Sequence, residues 1–254
     1  MPLSRLAKRI ISSYSLGMKV VRSVIFYAIV VVTFIIGTLI TIPIVWFSRN
    51  KIRTYQTSAR IWARMLARVS MIPVTLEGLE NFPKDEALVM VSNHQGAADI
   101  LILLAYLPCY FRFIIKKELF KIPFFGWYLR KAGYISVDRG AGEKAHKFMS
   151  SAEGVLASGE GILVFPEGTR TRDGNIQPFK RGSLLLAFKA KKRVLPIAVA
   201  GSFNILPPKS VFYNLVPIKI KIGKPVSLDK YGTKYEQALV EIHDLVKGML
   251  EAPH

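Results

Sequence analysis

Acidic residues are missing from the first 76 positions of this 254-residue chain, while eleven Lys and Arg side chains occupy that same stretch. All 17 Asp and Glu follow Leu76, and the net charge is +19. Cysteine is nearly absent. Cys109 stands alone, which excludes an internal disulfide framework and fits a reducing compartment. Histidine is scarce as well, with four residues, and no set of His, Cys and carboxylates has the spacing of metal ligands. No internal repeat, low-complexity tract or long linker is present, so the chain reads as one domain with an appendage.

An apolar run without a single charge covers residues 24–47. It exceeds the roughly 20 apolar residues that cross a bilayer. It is too long for a cleaved signal peptide, and no small-residue cleavage site follows it. Basic residues flank both ends, and a single span would place one basic flank outside, against the positive-inside rule. Gly37 and Pro43 interrupt the run, so the expectation is two helices dipping into one leaflet, bent at that point, with both ends cytoplasmic. One true span is the alternative. Arg53, Arg60, Arg64 and Arg68 surround Trp62, Met65 and Leu66, a pattern expected of a basic amphipathic helix on an anionic membrane surface or of a solvated face. A nucleic-acid partner is not expected, because no nucleic-acid motif accompanies the charge.

Beyond Leu76, apolar runs alternate with helical patterns. Strands are predicted at 74–79, 87–91, 112–115, 134–137, 161–165, 194–200 and 216–222, and helices at 100–107, 124–132, 142–157, 181–191 and 235–250. This alternation predicts an α/β fold, a mostly parallel sheet flanked by helices, with an N-terminal membrane-embedded helical anchor. The expected division is residues 1–72 for the anchor and 73–254 for the α/β domain.

Two corners carry the chemistry. The first is Asn93-His94-Gln95-Gly96-Ala97-Ala98-Asp99, between a predicted strand and a predicted helix. On one continuous helix a spacing of five would separate the two side chains. Across a corner they can meet, and a carboxylate on one ring nitrogen leaves the other free to take a proton. The carboxylate also suits the first turn of the helix as a cap, and both roles are compatible. The second corner is Phe165-Pro166-Glu167-Gly168-Thr169-Arg170, again after an apolar strand. Loops at the carboxyl ends of parallel strands build sites, so one crevice can hold both corners.

His-x4-Asp followed about seventy residues later by Phe-Pro-Glu-Gly-Thr-Arg resembles the glycerolipid acyltransferases, and within them the bacterial 1-acylglycerol-3-phosphate acyltransferases. The resemblance runs from Pro73 to Pro225. It implies transfer of a fatty acyl group from acyl-CoA or acyl carrier protein, with no other cofactor, to the sn-2 hydroxyl of lysophosphatidate at the cytoplasmic face of the cell membrane. His94 would then be the general base and Asp99 its orienting partner. Arg170, whose planar fork suits phosphate, would bind the acceptor. Glu167, Gly168 and Thr169 would shape that corner, with Glu167 bonding acceptor or backbone. The stretches 113–119 and 133–139 resemble a further family block and make Lys117 and Arg139 candidates for added phosphate contacts. Residues 194–199 resemble the last, mostly apolar block.

No Ser, Thr or Cys stands at the His94 corner as a nucleophile, which favours direct transfer over an acyl-enzyme. Gly96, Ala97 and Ala98 are smaller than the serine and aromatic residues often found there in the family, leaving more room beside the base. Rival readings are acylation of another lysolipid or of glycerol 3-phosphate, a membrane-associated hydrolase, and a non-catalytic lipid-binding scaffold.

Overall fold

The computed structural model describes residues 2–83, 85–137, 143–207 and 210–251. The chain opens with helix α1 (Pro2–Phe47) and, after a break at 48–50, helix α2 (Lys51–Val69), whose first turn is capped by the Asn50 side chain accepting the Arg53 N–H at 2.9 Å. The two run antiparallel. Trp62 Nε1 donates to Thr33 Oγ1 at 3.0 Å, and Ser48 and Thr54 hydroxyls meet at 2.6 Å. The expected division into two helices at Gly37–Pro43 does not occur, because α1 continues through Pro43. The missing backbone N–H of Pro43 is a local cost, and the face carrying Phe34, Thr41 and Val45 is held along its length by α2 and the core. The chain reverses instead at 48–50.

Helix α2 also differs from expectation. Arg60 is buried and donates to the carbonyl oxygens of Leu107, at 2.5 Å, and Cys109, at 2.6 Å. Arg64 Nε donates to Ala105 O at 3.0 Å, and the Arg53 guanidinium lies 3.8 Å from the Tyr110 ring centroid. Arg60 and Arg64 thus reach the carbonyl-rich end of α3 (Ala98–Tyr106), where helix-terminal carbonyls lack helical partners. Arg60 alone of the four is buried, while Arg53, Arg64 and Arg68 stay exposed.

Seven strands form one sheet: β1 (Val74–Glu77), β2 (Val89–Ser92), β3 (Phe111–Lys116), β4 (Ile135–Val137), β5 (Gly161–Val164), β6 (Val194–Ala200) and β7 (Ile218–Ile222). Their order is β1-β7-β6-β2-β5-β3-β4, parallel at every neighbouring pair except β6 and β7. All seven coincide with predicted strands to within a few residues. The central strands β2, β5 and β6 are buried on both faces, which is why they read as unbroken apolar runs. One face packs against α2, α3 and α4 (Phe125–Lys131). The other packs against α5 (Glu143–Ala157), α6 (Leu185–Lys189) and α8 (Tyr235–Glu251). A short helix α7 (Ser202–Ile205) follows β6. The predicted helix at 181–191 divides into a 3₁₀ turn, Arg181–Ser183, and α6.

Because β2, β5 and β3 are parallel neighbours, their carboxyl ends share one edge. Met90, Leu163 and Phe113 lie at one level in the ladder. His94, Glu167 and Lys117 each lie four positions past that level along their own strands, so both predicted corners open on the same side of the sheet.

Candidate active site

The first corner is set by Asn93, which is fully buried. Its side chain donates to Val199 O at 2.9 Å and accepts the Val199 N–H at 2.8 Å. A carboxamide thus replaces the next rung of the β2–β6 ladder and releases the backbone to turn. Gly96 completes the turn. A Cβ there would stand 2.7 Å from Ser202 O, so no side chain fits. The Gly96 N–H donates to Asp99 Oδ2 at 2.9 Å.

The same oxygen lies 2.8 Å from His94 Nδ1. A carboxylate only accepts, so Nδ1 carries the proton and Nε2 keeps its lone pair. Asp99 therefore closes the turn ahead of its helix and orients the imidazole at once. It is fully buried, whereas the His94 side chain retains 15% exposure, so the free nitrogen side of the ring remains reachable. The imidazole stacks on Phe165, with centroids 4.0 Å apart and an 18° tilt. A second histidine–carboxylate contact, His243 with Asp244 at 3.0 Å, lies on α8 with its carboxylate 65% exposed and lacks this setting.

Glu167 joins the two corners. Oε1 accepts the backbone N–H of His94 at 2.6 Å, and Oε2 accepts that of Gln177 at 2.9 Å. Burial pushes this carboxyl above its ordinary range, and the two N–H bonds partly oppose the rise. Both of its oxygens thus meet backbone. The Thr171 N–H donates to His94 O at 2.9 Å, and Gln95 Nε2 donates to Gly174 O at 2.9 Å. Segment 171–177 is therefore tied to the histidine corner at His94, Gln95 and Glu167.

Gly168 has φ +72°, and a Cβ there would meet Lys180 Nζ at 2.8 Å, so glycine is required. Thr169 and Arg170 are exposed just beyond it. Lys117 is exposed at the start of a 3₁₀ turn, Lys117–Lys121, at the same sheet edge. Arg139 lies outside the described residues. Among those described, no three His, Cys, Asp or Glu gather as metal ligands. Cys109 is no nucleophile, because burial pushes its thiol up to about 12. The roles of Asn93, Gln95, Thr171 and Gln177 were not anticipated from sequence. The only local signal was that Asn93 is an amide at the end of an apolar strand.

An apolar cavity of about 230 Å³ begins at Ala97, between His94 and Asp99 in the chain. It runs past Ile100 and Leu104 of α3 to Phe34 and Gly37 of α1 and Trp62 of α2, with Tyr134 also in its wall. The site thus joins a base with a fixed tautomer, an exposed cationic turn and an apolar recess.

Known proteins resemble this chain in sequence and fold. Residues 73–200 match the family model described as Acyltransferase. The 1-acyl-sn-glycerol-3-phosphate acyltransferase of Borreliella burgdorferi is 30% identical over 171 residues, covering 67% of this chain and 68% of that protein. The chloroplastic 1-acyl-sn-glycerol-3-phosphate acyltransferase of Brassica napus is 33% identical over 193 residues, covering 74% of this chain and 54% of the relative. Against several such plant relatives the chain spans about half their length. The crystal structure of the 1-acyl-sn-glycerophosphate (LPA) acyltransferase PlsC from Thermotoga maritima superposes with a TM-score of 0.81 at 26% identity, covering 92% of this chain and 95% of that one. The matched stretch holds both corners and takes in half of the chain, and on that ground this protein belongs to the acyltransferase family.

Proposed function

We propose that this chain transfers a fatty acyl group from a thioester, acyl-CoA or acyl carrier protein, to the sn-2 hydroxyl of lysophosphatidate, giving phosphatidate and a free thiol. The observation that carries this reading is the hydrogen-bonded His94–Asp99 pair, at a corner whose Ala97 lines an apolar cavity and which Glu167 ties to the corner that holds Arg170. His94 Nε2 takes the hydroxyl proton as the oxygen attacks the thioester carbonyl. The tetrahedral intermediate collapses, the C–S bond breaks, and the imidazolium returns its proton to the leaving thiolate. Asp99 holds the ring and stabilises its charge. A positioned base of this kind contributes about 10²–10⁴-fold. Arg170 and Lys117 face the acceptor phosphate, with Arg139 a further candidate, and the cavity receives an acyl chain.

Helix α1 supports a membrane setting. Residues 17–47 are long and apolar enough to cross a bilayer. Its outward residues Val21, Ile25, Val32, Ile36 and Leu39 recur at helical spacing and are exposed. With its other face against α2, α1 lies in the plane of one leaflet, and both basic flanks stay on the cytoplasmic side without a bend.

Incubating the purified chain with a panel of lysolipids and glycerol 3-phosphate, each with acyl-CoA and with acyl carrier protein, tests the reading by product mass. Phosphatidate as the dominant product is expected. A different acylated lipid, free fatty acid alone, or no product overturns it.

A further inference from the structure

A groove of about 750 Å³ lies along α1 and shares no lining residue with the cavity at Ala97. Its volume falls within the roughly 300–1,000 Å³ of small-ligand sites. Ile25 and Ile29 of α1 form one wall, and Val69 and Met71 at the end of α2 form the other. One charged group enters this apolar lining, the guanidinium of Arg22.

Arg22 is held in place. Its Nη2 donates to Tyr213 O at 2.7 Å, and its guanidinium lies 5.2 Å from the Tyr213 ring centroid. Tyr213 is itself fixed to both helices. Its N–H donates to Ser23 Oγ at 3.0 Å, its hydroxyl donates to Ser70 O, and its ring stacks on Phe26 at 4.5 Å. Among the described residues, no carboxylate bonds Arg22, and its buried Nε has no partner. Lys19 and Arg68 are exposed near the rim, and no acidic residue occurs before Glu77.

We propose that this groove is a binding site for one anionic phospholipid of the bilayer, with an acyl chain between α1 and the end of α2 and the phosphate at Arg22. The inference rests on the reading that α1 lies in the membrane. Charge complementarity selects the ligand, because a fixed, unpaired cation without neighbouring carboxylates favours an anionic headgroup. Continuity selects lipid over a soluble partner. Ile25 and Ile29 of the groove are followed at helical spacing by the exposed Val32 and Ile36, so the same face of α1 continues beyond the groove and needs the same hydrocarbon surroundings. The site is separate from the one that acylates, so its occupant is a bound lipid and not a turnover substrate.

The test uses the full chain in vesicles of phosphatidylcholine and phosphatidylglycerol, extracted gently and weighed by native mass spectrometry. One retained phosphatidylglycerol, in preference to phosphatidylcholine, is expected. Arg22→Gln should lower that preference about five-fold, the size of one cation's effect at a lipid surface. Ile25→Trp, which adds bulk to the groove wall and keeps Arg22, should lower retention of either lipid about ten-fold. Equal retention of the two lipids by the unaltered chain, or retention by Ile25→Trp equal to that of the unaltered chain, overturns the proposal. Flotation separates the two readings. A chain that fails to float with vesicles removes the membrane placement and this site together, whereas one that floats but retains no lipid removes the site alone.

Discussion

The His94 corner and helix α1 treat apolar sequence in opposite ways. In β2 and β5 every residue is buried, and the polar groups beyond them find protein partners: Asn93 with Val199, Glu167 with His94 and Gln177. In α1 the apolar residues are as dense, yet only 17% of its most apolar window is buried, and Trp46 and Phe47 are 79% and 90% exposed. Hydropathy thus reports a need to leave water. Whether sheet or lipid meets that need is decided by what packs around the segment. The corner sets the chemistry through buried hydrogen bonds, while the helix sets location through an uncovered face.

The sharpest way to break this comparison is His94→Ala. Its side chain is partly exposed and its backbone bonds to Glu167 and Thr171 survive truncation. Turnover should fall by at least about 10²-fold while the melting temperature stays close to that of the unaltered chain. Normal turnover would show that the corner is structural only. Asp99→Asn sharpens the point. Asn can still accept the Gly96 N–H, so the turn ahead of the helix persists, but the negative charge beside the imidazole is gone. A loss of roughly ten-fold or more in kcat, with little change in KM, is expected. If stability alone fell, closing that turn would be the whole role of Asp99.

Glu167→Gln probes the tie between the corners. One carboxylate oxygen becomes an NH₂ facing a backbone N–H, and a buried donor loses its partner. Such a loss costs about 1–3 kcal/mol, readable as a lower urea midpoint. The pH dependence has a definite sign. Burial raises the native carboxyl above its unfolded value, so within that window the native state binds more protons than the unfolded chain. The contribution of Glu167 to stability is therefore fully present below the unfolded value and declines as pH rises through the native one. The gap between the unaltered chain and the variant should narrow over that interval. A gap that widens would mean that hydrogen bonding to the carboxylate outweighs its desolvation.

The sequence was most legible where environment is uniform. Strands β2, β5 and β6 are legible because a strand buried on both faces leaves an unbroken apolar run, β3 and β7 because buried residues alternate along them, and the His94–Asp99 pairing follows from a corner between strand and helix. The sequence failed where a partner lies far away. The bond partner of Asn93 is 106 residues distant, and the carbonyls that Arg60 meets are more than forty residues on. Nothing local distinguishes an arginine aimed at lipid from one aimed at the end of a helix. Pro43 misled for a related reason, because its local penalty is outweighed by packing against α2. Glu167 was foreseen as bonding acceptor or backbone, but its particular partners, His94 and Gln177, depend on β2 and β5 lying side by side.

The smallest expected effect tests the other half of the comparison. Leu103 in α3 is fully buried, and truncating such a leucine to alanine costs about 2–5 kcal/mol. Ile36 and Leu39 of α1 are 50% and 61% exposed and pack little against the protein. Replacing both with serine should change the unfolding midpoint in detergent by no more than about 0.5 kcal/mol for each position, as at an ordinary surface site. The effect should appear in lipid. Each side chain removed from hydrocarbon weakens membrane association by the burial it no longer makes, about 25 cal/mol per Å² of apolar area. The double variant should float less completely with vesicles, and its activity should decline on membrane-borne acceptor but not on a dispersed short-chain one. A large drop in the detergent midpoint with unchanged flotation would reverse the assignment. It would mean that the outward face of α1 is covered by protein, and that the contrast between a chemistry held by burial and a location held by exposure does not apply to this chain.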